Sequence, residues 1–322
     1  MNSAPATSKS PAILGTGILL LSIPLLVPLP FAPSTPFGMA LLDALHFPLF
    51  AVLTALGYAF VRVATRRPPG PALTITVSLA VIAAILSELG QSLFDRTSSW
   101  RDFGFDLLGI ATAATAIALV LRPGRPPGAR AVAGSLALLT FSLTVASLPA
   151  WRAAKAQAEQ AQAFPVLGSF EESWEMLFWH PQGNPDVGQV TVSRQRQPVA
   201  HSGQGGDALR IEADSASWAG VHLLIARPIS WSGHQALHFD LFNPAEDDFE
   251  LGIRVDDREG RRFTGAARIK PGANRCRVPL AELANRERSL GDSAGLAPTQ
   301  LTFHLDPLPS TRTFYLDNVQ LE

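Results

Sequence analysis

The sequence predicts an all-α membrane bundle of five transmembrane helices followed by an all-β antiparallel sandwich. Up to residue 150 the chain consists of long apolar segments and has only five acidic residues. From about residue 166 onward, charged residues come every few positions and apolar residues alternate with polar ones. A chain of 322 residues is long enough for about two domains. We therefore expect a transmembrane domain at 1–150, a stalk at 151–165 and a sandwich at 166–322.

Five segments are apolar over roughly 20 residues, which is the length that an α-helix needs to cross a bilayer. The first of them could be a signal peptide, but Lys9 is its only basic flank and four more apolar segments follow, so we interpret it as a retained helix. Prolines at 24, 28 and 30 predict that its last turn is kinked or unwound. The expected spans are 12–31, 46–65, 72–91, 104–121 and 131–149.

Basic residues in the short connections predict the orientation of these spans, because Lys and Arg stay preferentially on the cytoplasmic side. The connections after spans two and four together contain six arginines, whereas the connections before these spans contain two. We therefore expect a multi-pass protein of the inner (plasma) membrane, with a cytoplasmic N-terminus and an extracytoplasmic C-terminal domain. The inner arginines are Arg62, Arg66, Arg67, Arg122, Arg125 and Arg130, and the outer ones are Arg96 and Arg101.

The region after the last span changes its pattern twice. Residues 151–165 have no sustained apolar face but are rich in helix-favouring Ala, Gln, Lys and Glu, which predicts a short polar helical stalk. Farther on, apolar and polar residues alternate within 209–214, 237–242 and 251–256, with turn residues after each run. Several short strands at such spacing predict an antiparallel sandwich. In the last strand the alternation slips at Asp317-Asn318, which predicts a β-bulge.

Polar side chains lie at the ends of three apolar segments, and alternate crossing would bring all of them to the outer side of the membrane. Glu88 and Gln91 are three residues apart and Asp102 and Asp106 are four apart, so each pair shares a helix face. Ionisable groups at membrane depth are costly, and they are therefore candidates for function. This predicted outer-face site consists of Asp43, His46, Glu88, Gln91, Arg96, Asp102 and Asp106.

The same residues resemble the VanZ-like family, whose pattern is Asp-Lys-x-x-His-Phe, Glu-x-x-Gln, an Arg, and Asp-x-x-x-Asn followed by Gly. The resemblance covers about residues 35–121, with Ala44 in place of the usual Lys and Asp106 in place of the common Asn. It implies a role in the cell envelope, because family members are known for low-level glycopeptide (teicoplanin) resistance, and it implies no particular reaction. Gly109 beneath the site would allow two helices to approach closely.

Three interpretations of the outer-face site stay open. The polar side chains could form a structural network that fixes three helix ends. They could bind the headgroup of an envelope lipid or a glycan. They could also form a catalytic or metal site, for which His46, Glu88 and Asp102 are ligands of suitable type.

Residues 166–322 resemble the galactose-binding-like jelly-roll domains found in carbohydrate-binding modules. The resemblance rests on Phe170-Glu171-Glu172-x-Trp174, the strands at 209–212 and 237–244, and the ending Tyr315-Leu316-Asp317-Asn318-Val319. Such domains often hold a structural calcium ion near the first and last strands, and this would make Glu171, Glu172 and Asp317 its oxygen ligands. Apart from this calcium ion, we expect no cofactor.

Polar side chains on the outward face of the central strands are the candidate glycan contacts. We expect His238, Asp240, Arg254 and Asp256 to lie beside one another, and we expect Trp218 or Trp231 to supply an aromatic face for a sugar. The competing interpretation is that both tryptophans fill core or edge positions and that the charges are simply solvated.

Together these patterns favour a membrane protein whose sandwich recognises an envelope or exported polysaccharide, with the lipid bilayer as its other partner. One alternative is a membrane enzyme that acts on a lipid-linked glycan through the outer-face site, and the sequence does not establish that the chain is an enzyme. Another is a structural anchor with a protein-interaction sandwich. Nucleic acid is excluded as an expected partner by the net charge of −1 and the absence of a basic stripe. A disulfide within the chain is excluded because Cys276 is the only cysteine.

Overall fold

The structure is a computed structural model that describes most of the chain in two compact units, Met1–Arg152 and Ala153–Glu322. The described residues are 10–26, 35–92, 100–121, 128–183, 190–196, 206–213, 219–284, 289–290, 297–306 and 311–322.

The N-terminal unit is helical, and four of its described helices are long and apolar enough to cross a membrane. The prediction of five spans is therefore wrong in number. Helix α1 has 17 residues, about 26 Å at 1.5 Å per residue, which falls short of a hydrocarbon core of about 30 Å. The predicted end of that span, with Pro28 and Pro30, lies outside the described residues. The helices are α1 (Ser10–Leu26), α2 (Pro36–Thr65), α3 (Pro69–Ser92), α4 (Trp100–Val120) and α5 (Ala129–Ala163).

Helix α2 begins ten residues earlier than the predicted span at 46–65. Thr35 caps it by accepting a hydrogen bond from the Gly38 N–H at 3.2 Å, and Pro36 occupies the first helical position, where its fixed φ is favourable. Asp43 and His46 therefore lie inside the helix and do not open it. The capping residue Thr35 and Pro36 lie before the apolar run and determine where the helix begins, so hydropathy alone places its start too late.

Helices α2, α3 and α4 pack around a small apolar core. Phe50, Ala84 and Ile110 contribute one buried residue from each helix to a single cluster. A Cβ on Gly109 of α4 would lie 2.3 Å from the Phe47 carbonyl oxygen and 3.0 Å from the Ala51 nitrogen of α2. The prediction that Gly109 permits close helix approach is confirmed.

The C-terminal unit contains a sandwich of two antiparallel sheets, which confirms the predicted class of this part of the chain. The six-stranded sheet has the order β3-β4-β11-β6-β9, with β1 pairing to β11, and the five-stranded sheet has the order β2-β5-β10-β7-β8. The strands are β1 (Val166–Gly168), β2 (Trp179–Gly183), β3 (Val190–Arg196), β4 (Asp207–Ala213), β5 (Ala219–Leu224), β6 (Ala236–Asn243), β7 (Phe249–Asp257), β8 (Arg262–Ile269), β9 (Gly272–Pro279), β10 (Pro298–Leu305) and β11 (Arg312–Leu321).

The period-two runs behave as the sequence predicts. In β6 and β7 every second side chain is buried between the sheets, for example Phe239 and Ile253, while the residues between them face outward. The predicted β-bulge is also confirmed. The register of β11 against β6 shifts between Asp317 and Gln320, and Asn318 there has a φ of 50°.

The last turns of α5 pack against the sandwich. Ala156 is buried in the sandwich core, and Gln160 donates from Nε2 to the Leu224 carbonyl oxygen at 2.9 Å and accepts from the Ala226 N–H at 3.0 Å. Gln157 donates to the Ala226 carbonyl oxygen at 3.2 Å. Part of the predicted stalk is therefore attached to the end of β5.

Candidate functional site

The outer-face site has a buried centre formed by α2 and α4. Nδ1 of His46 and Oδ1 of Asp106 lie 2.9 Å apart, both side chains are buried, and Asp106 is 0% exposed. One ligand atom from each of His46, Glu88 and Asp106 lies within 4.8 Å of the other two. Three of the predicted side chains, one from each of three helices, are thus brought together.

Two further carboxylates lie around this centre. Asp102 is buried and interacts electrostatically with Asp43, His46, Glu88 and Asp106. Asp43 lies nearer to solvent, with Oδ2 at 3.8 Å from Arg101 Nη1. The sequence reasoning did not identify Arg101 as a member of this site.

The side chains of two predicted residues of the outer-face site lie outside the described part of the structure. Arg96 lies outside the described residues, and Gln91 belongs to α3 but its side chain is also outside the description. The triad suggested for metal binding changes as well. Asp106 takes the place that the sequence interpretation gave to Asp102, because the buried hydrogen bond to His46 comes from the residue one turn farther along α4.

The four polar side chains proposed for glycan binding do not lie beside one another. His238 and Asp240 belong to β6 in the six-stranded sheet, whereas Arg254 and Asp256 belong to β7 in the five-stranded sheet. Because outward residues of the two sheets face away from each other across the core, the predicted cluster is wrong. The chain crosses from one sheet to the other between β6 and β7, and alternation alone cannot show that step.

On the six-stranded sheet, the outward charges are compensated by exposed partners. His238 Nε2 and Arg277 Nε lie 2.7 and 2.9 Å from Glu322 Oε2, and Arg275 Nε lies 3.8 Å from Asp240. The side-chain hydrogen bond from His238 and the neighbouring Arg277 lower the pKa of Glu322. Exposed pairs of this kind contribute little to stability.

The outer face of the five-stranded sheet has a different character, because a row of polar side chains crosses four strands there. His180 of β2 pairs with His222 of β5, His222 with Thr302 of β10, and Thr302 with Arg254 of β7. His304 follows on β10, and its Nε2 would lie 2.2 Å from a Cβ on Gly252, so this glycine leaves room for the imidazole. We call this surface the histidine face; it comprises His180, Gln182, His222, Arg254, Asp256, Gln300, Thr302 and His304.

The histidine face is unusually well buried for an outer sheet surface. Thr302 is 0% exposed although it points away from the core, and it accepts a hydrogen bond from Gln300 Nε2 at 3.1 Å. Arg254 is held by a bond from its Nε to Asp256 Oδ2 at 2.9 Å. The rings of His180 and His222 have centroids 5.6 Å apart.

Burial keeps these histidines neutral. Desolvation, together with the neighbouring His180 and Arg254, lowers the pKa of His222 to about 4. Desolvation also lowers the pKa of His180 and of His304. Nε2 of His180 and Nδ1 of His222 are buried and have no hydrogen-bond partner among the described residues. A neutral imidazole offers one donor and one acceptor, so these nitrogens leave hydrogen-bonding capacity unused on this face.

The sequence reasoning missed the histidine face, although a signal was present. His222 and His304 each stand between two buried apolar residues on a strand, Val221 and Leu223 in the first case and Phe303 and Leu305 in the second. That pattern places both imidazoles on outer faces. Their meeting depends on the pairing of β5 with β10, which the sequence does not reveal.

The structure describes one of the two tryptophans that were predicted to stack on a sugar. Trp231 is 3% exposed and belongs to the sandwich core, so it offers no stacking surface to a sugar. Trp218 lies outside the described residues.

The predicted calcium ligands are not brought together as a set. Among the described residues, the group with three ligand atoms within 4.8 Å of one another is that of His46, and it does not include Glu171, Glu172 or Asp317. Asp317 is surrounded instead by the charges of Asp240, Glu171 and Glu175. Glu171 accepts a hydrogen bond from the Asp207 N–H at 3.2 Å.

No protein-family model matches the chain, the VanZ-like family included, and no curated protein matches it. Solved structures do resemble about half of it. An exo-β-agarase is 13% identical with a TM-score of 0.39 and covers 49% of this chain, which spans only 25% of the agarase. The family 11 carbohydrate-binding module of a cellulosomal cellulase of Clostridium thermocellum is 15% identical with a TM-score of 0.36, covering 48% of this chain and 92% of the module. A carbohydrate-binding module specific for non-crystalline cellulose, CBM28, is 12% identical with a TM-score of 0.37 and the same two coverages.

Proposed function

We propose that this protein is anchored in the membrane and recognises a glycan of the cell envelope, or an exported polysaccharide, through the histidine face of its jelly-roll sandwich. The observation that carries the proposal is the row His180–His222–Thr302–Arg254, which is half-buried, neutral at its imidazoles and continuous across four strands. Adjacent strands lie about 4.8 Å apart, so this row is about 14 Å long.

The chemistry of the face suits hydroxyl groups. Each neutral imidazole supplies a donor and an acceptor, Arg254 supplies several donors, and two glutamines supply both kinds of group. Because Asp256 and Arg254 neutralise each other, the face does not demand a charged ligand. Each hydrogen bond to a sugar replaces one to water and gains only about 1 kcal/mol, so we expect weak binding that adds up along an extended chain.

The membrane part of the proposal concerns location. Arginine counts in the connections support an extracytoplasmic sandwich, where envelope and exported polysaccharides are found, and with four crossings α2 begins on that same side of the membrane. The ordered polar residues of α2, α3 and α4 support a VanZ-like domain at about residues 35–121.

The experiment uses residues 153–322, which form one compact unit that includes the contacts of Gln157 and Gln160. The purified fragment is titrated with a panel of envelope and exported polysaccharides. His222→Ala and Arg254→Gln should each weaken binding about fivefold, the equivalent of one hydrogen bond of about 1 kcal/mol. The matched controls, His238→Ala and Arg275→Gln, change the same residue types on the six-stranded sheet and should leave the affinity within about twofold.

Two results would count against the proposal. If the controls weaken binding while the variants of the histidine face do not, the ligand lies on the other sheet. If no polysaccharide in the panel binds, glycan recognition is wrong and the sandwich is better interpreted as a protein-contact module.

A further inference from the structure

We propose that His46, Glu88 and Asp106 bind a divalent transition-metal ion, of which Zn²⁺ is the example, inside the helical unit. This site is independent of glycan recognition by the sandwich. It lies on α2, α3 and α4, with one ligand from each helix.

The distances are close to those of a metal site. Zinc bonds to histidine nitrogen and carboxylate oxygen are about 2.0–2.2 Å long, so two ligand atoms on one ion are at most about 4.4 Å apart. The three ligand atoms already lie within 4.8 Å of one another, and the pair from His46 and Asp106 is separated by 2.9 Å. The limit of 4.8 Å exceeds this geometric maximum by about 0.4 Å, so the ligand atoms are close to coordinating distance.

The balance of charge also favours a cation. The buried Asp102 and Asp106 each interact with the carboxylate of Glu88, and among the described residues His46 is the basic group that acts on both of them. Arg101 is largely exposed and lies 3.8 Å from Asp43, the outermost carboxylate. Negative charge at membrane depth is costly unless a cation or a proton compensates it.

Buried oxygen atoms supply independent support for a ligand. Asp106 is completely buried, and its Oδ2 has no hydrogen-bond partner among the described residues. Oδ1 of the buried Asp102 likewise has no hydrogen-bond partner among the described residues. Buried acceptors normally have partners, so these two oxygens are open to a cation or a hydrogen-bond donor.

The ligand types select the class of metal. Carboxylates alone would suit Mg²⁺ or Ca²⁺, but an imidazole nitrogen favours zinc, iron, nickel or copper. One nitrogen and two oxygen ligands leave a position for water or substrate, since catalytic zinc sites commonly use three protein ligands.

The test measures zinc directly on the full chain. The protein is purified in detergent with a tag that contains no histidine, stripped with a chelator, dialysed against Zn²⁺ and analysed by mass spectrometry. A His180→Gln/His222→Gln background removes the paired imidazoles of the sandwich as a competing zinc site. We expect about one zinc ion per chain in this background.

Isosteric variants locate the ion. Glu88→Gln and Asp106→Asn should each lower zinc affinity at least tenfold, whereas the matched control Glu159→Gln, which changes a carboxylate on α5 paired with Lys155, should retain zinc within about threefold. Helix content and elution volume check folding, and if Asp106→Asn does not fold, the half-buried Glu88→Gln carries the test. If the background protein retains no zinc, if both triad variants retain it, or if Glu159→Gln loses it as they do, the inference is wrong.

Discussion

Asp317 is a carboxylate that the fold buries among other carboxylates. It is 6% exposed. Burial and the charges of Asp240, Glu171 and Glu175 raise its pKa to about 7, although the hydrogen bond from the Asn318 backbone N–H lowers it. The unfolded chain releases this proton near pH 4. Between about pH 4 and 7 the folded state therefore binds more protons, and stability is lost as the pH rises through this window.

We predict that Asp317→Asn stabilises the fragment 153–322 at pH 8. A pKa displacement of about three units corresponds to at most about 4 kcal/mol in the free energy of unfolding. The gain should shrink to less than about 1 kcal/mol at pH 4, where the wild-type carboxyl is protonated in the folded state and about half protonated in the unfolded state. Urea unfolding at both pH values, with a chelator present, measures it.

The matched control for this prediction is Asp248→Asn, which changes an exposed carboxylate paired with Arg268. It should alter stability by less than about 1 kcal/mol at either pH. An equal gain from Asp317→Asn at pH 4 and pH 8 would show that the buried charge is not the cause.

Helix contacts depend on single small residues. Gly109→Ala would place a Cβ 2.3 Å from the Phe47 carbonyl oxygen, so α2 and α4 must separate, at a cost of about 1–3 kcal/mol. The control Gly104→Ala lies on the same helix, where an added Cβ meets nothing within 4 Å. It should be neutral or stabilising, because Ala favours helix by about 1 kcal/mol.

Thermal unfolding of the full chain in detergent compares these two variants. Gly109→Ala should lower the melting temperature, and it should also weaken any zinc retention because His46 and Asp106 are on the two helices that separate. Equal melting temperatures for both variants would contradict the close packing of α2 on α4.

At the scale of elements, the sequence predicts which side chains of a strand share a face, but it does not predict which strands pair in a sheet. Alternation identifies which residues of β6 and β7 face outward, and the slip at Asp317-Asn318 reveals the bulge. Alternation does not tell which sheet a strand joins, and this is why His238 and Arg254 were expected together. The pairing of β2, β5 and β10 is a long-range property, so the histidine face emerges only from the fold.

The outer-face site could also be predicted from the sequence only in part. Spacing within α4 predicts that Asp102 and Asp106 share a face, and the arrangement of three helix ends predicts a common site. The choice of Asp106 as the partner of His46 depends on how α2 and α4 pack at Gly109. Arg101 escapes prediction because it belongs to the first turn of α4, before the apolar run that marks this helix in the sequence.

At the scale of the whole molecule, the topology is a prediction from charge alone. We expect a reporter active outside the cytoplasm to work when fused after Glu322 and to fail when fused after Gly128. The reason is the six arginines of the inner connections against two in the outer ones. Activity at Gly128, or none at Glu322, would reverse the orientation and remove the sandwich from extracytoplasmic glycans.

The central claim is that a glycan lies on the five-stranded sheet, and nuclear magnetic resonance tests it most directly. Labelled fragment 153–322 is titrated with a polysaccharide that binds it, and the backbone and imidazole signals are followed. We predict that the largest changes occur at His180, His222 and Thr302, with His238 and Asp240 unchanged. Changes concentrated at His238 and Asp240, on the opposite sheet, would contradict the account.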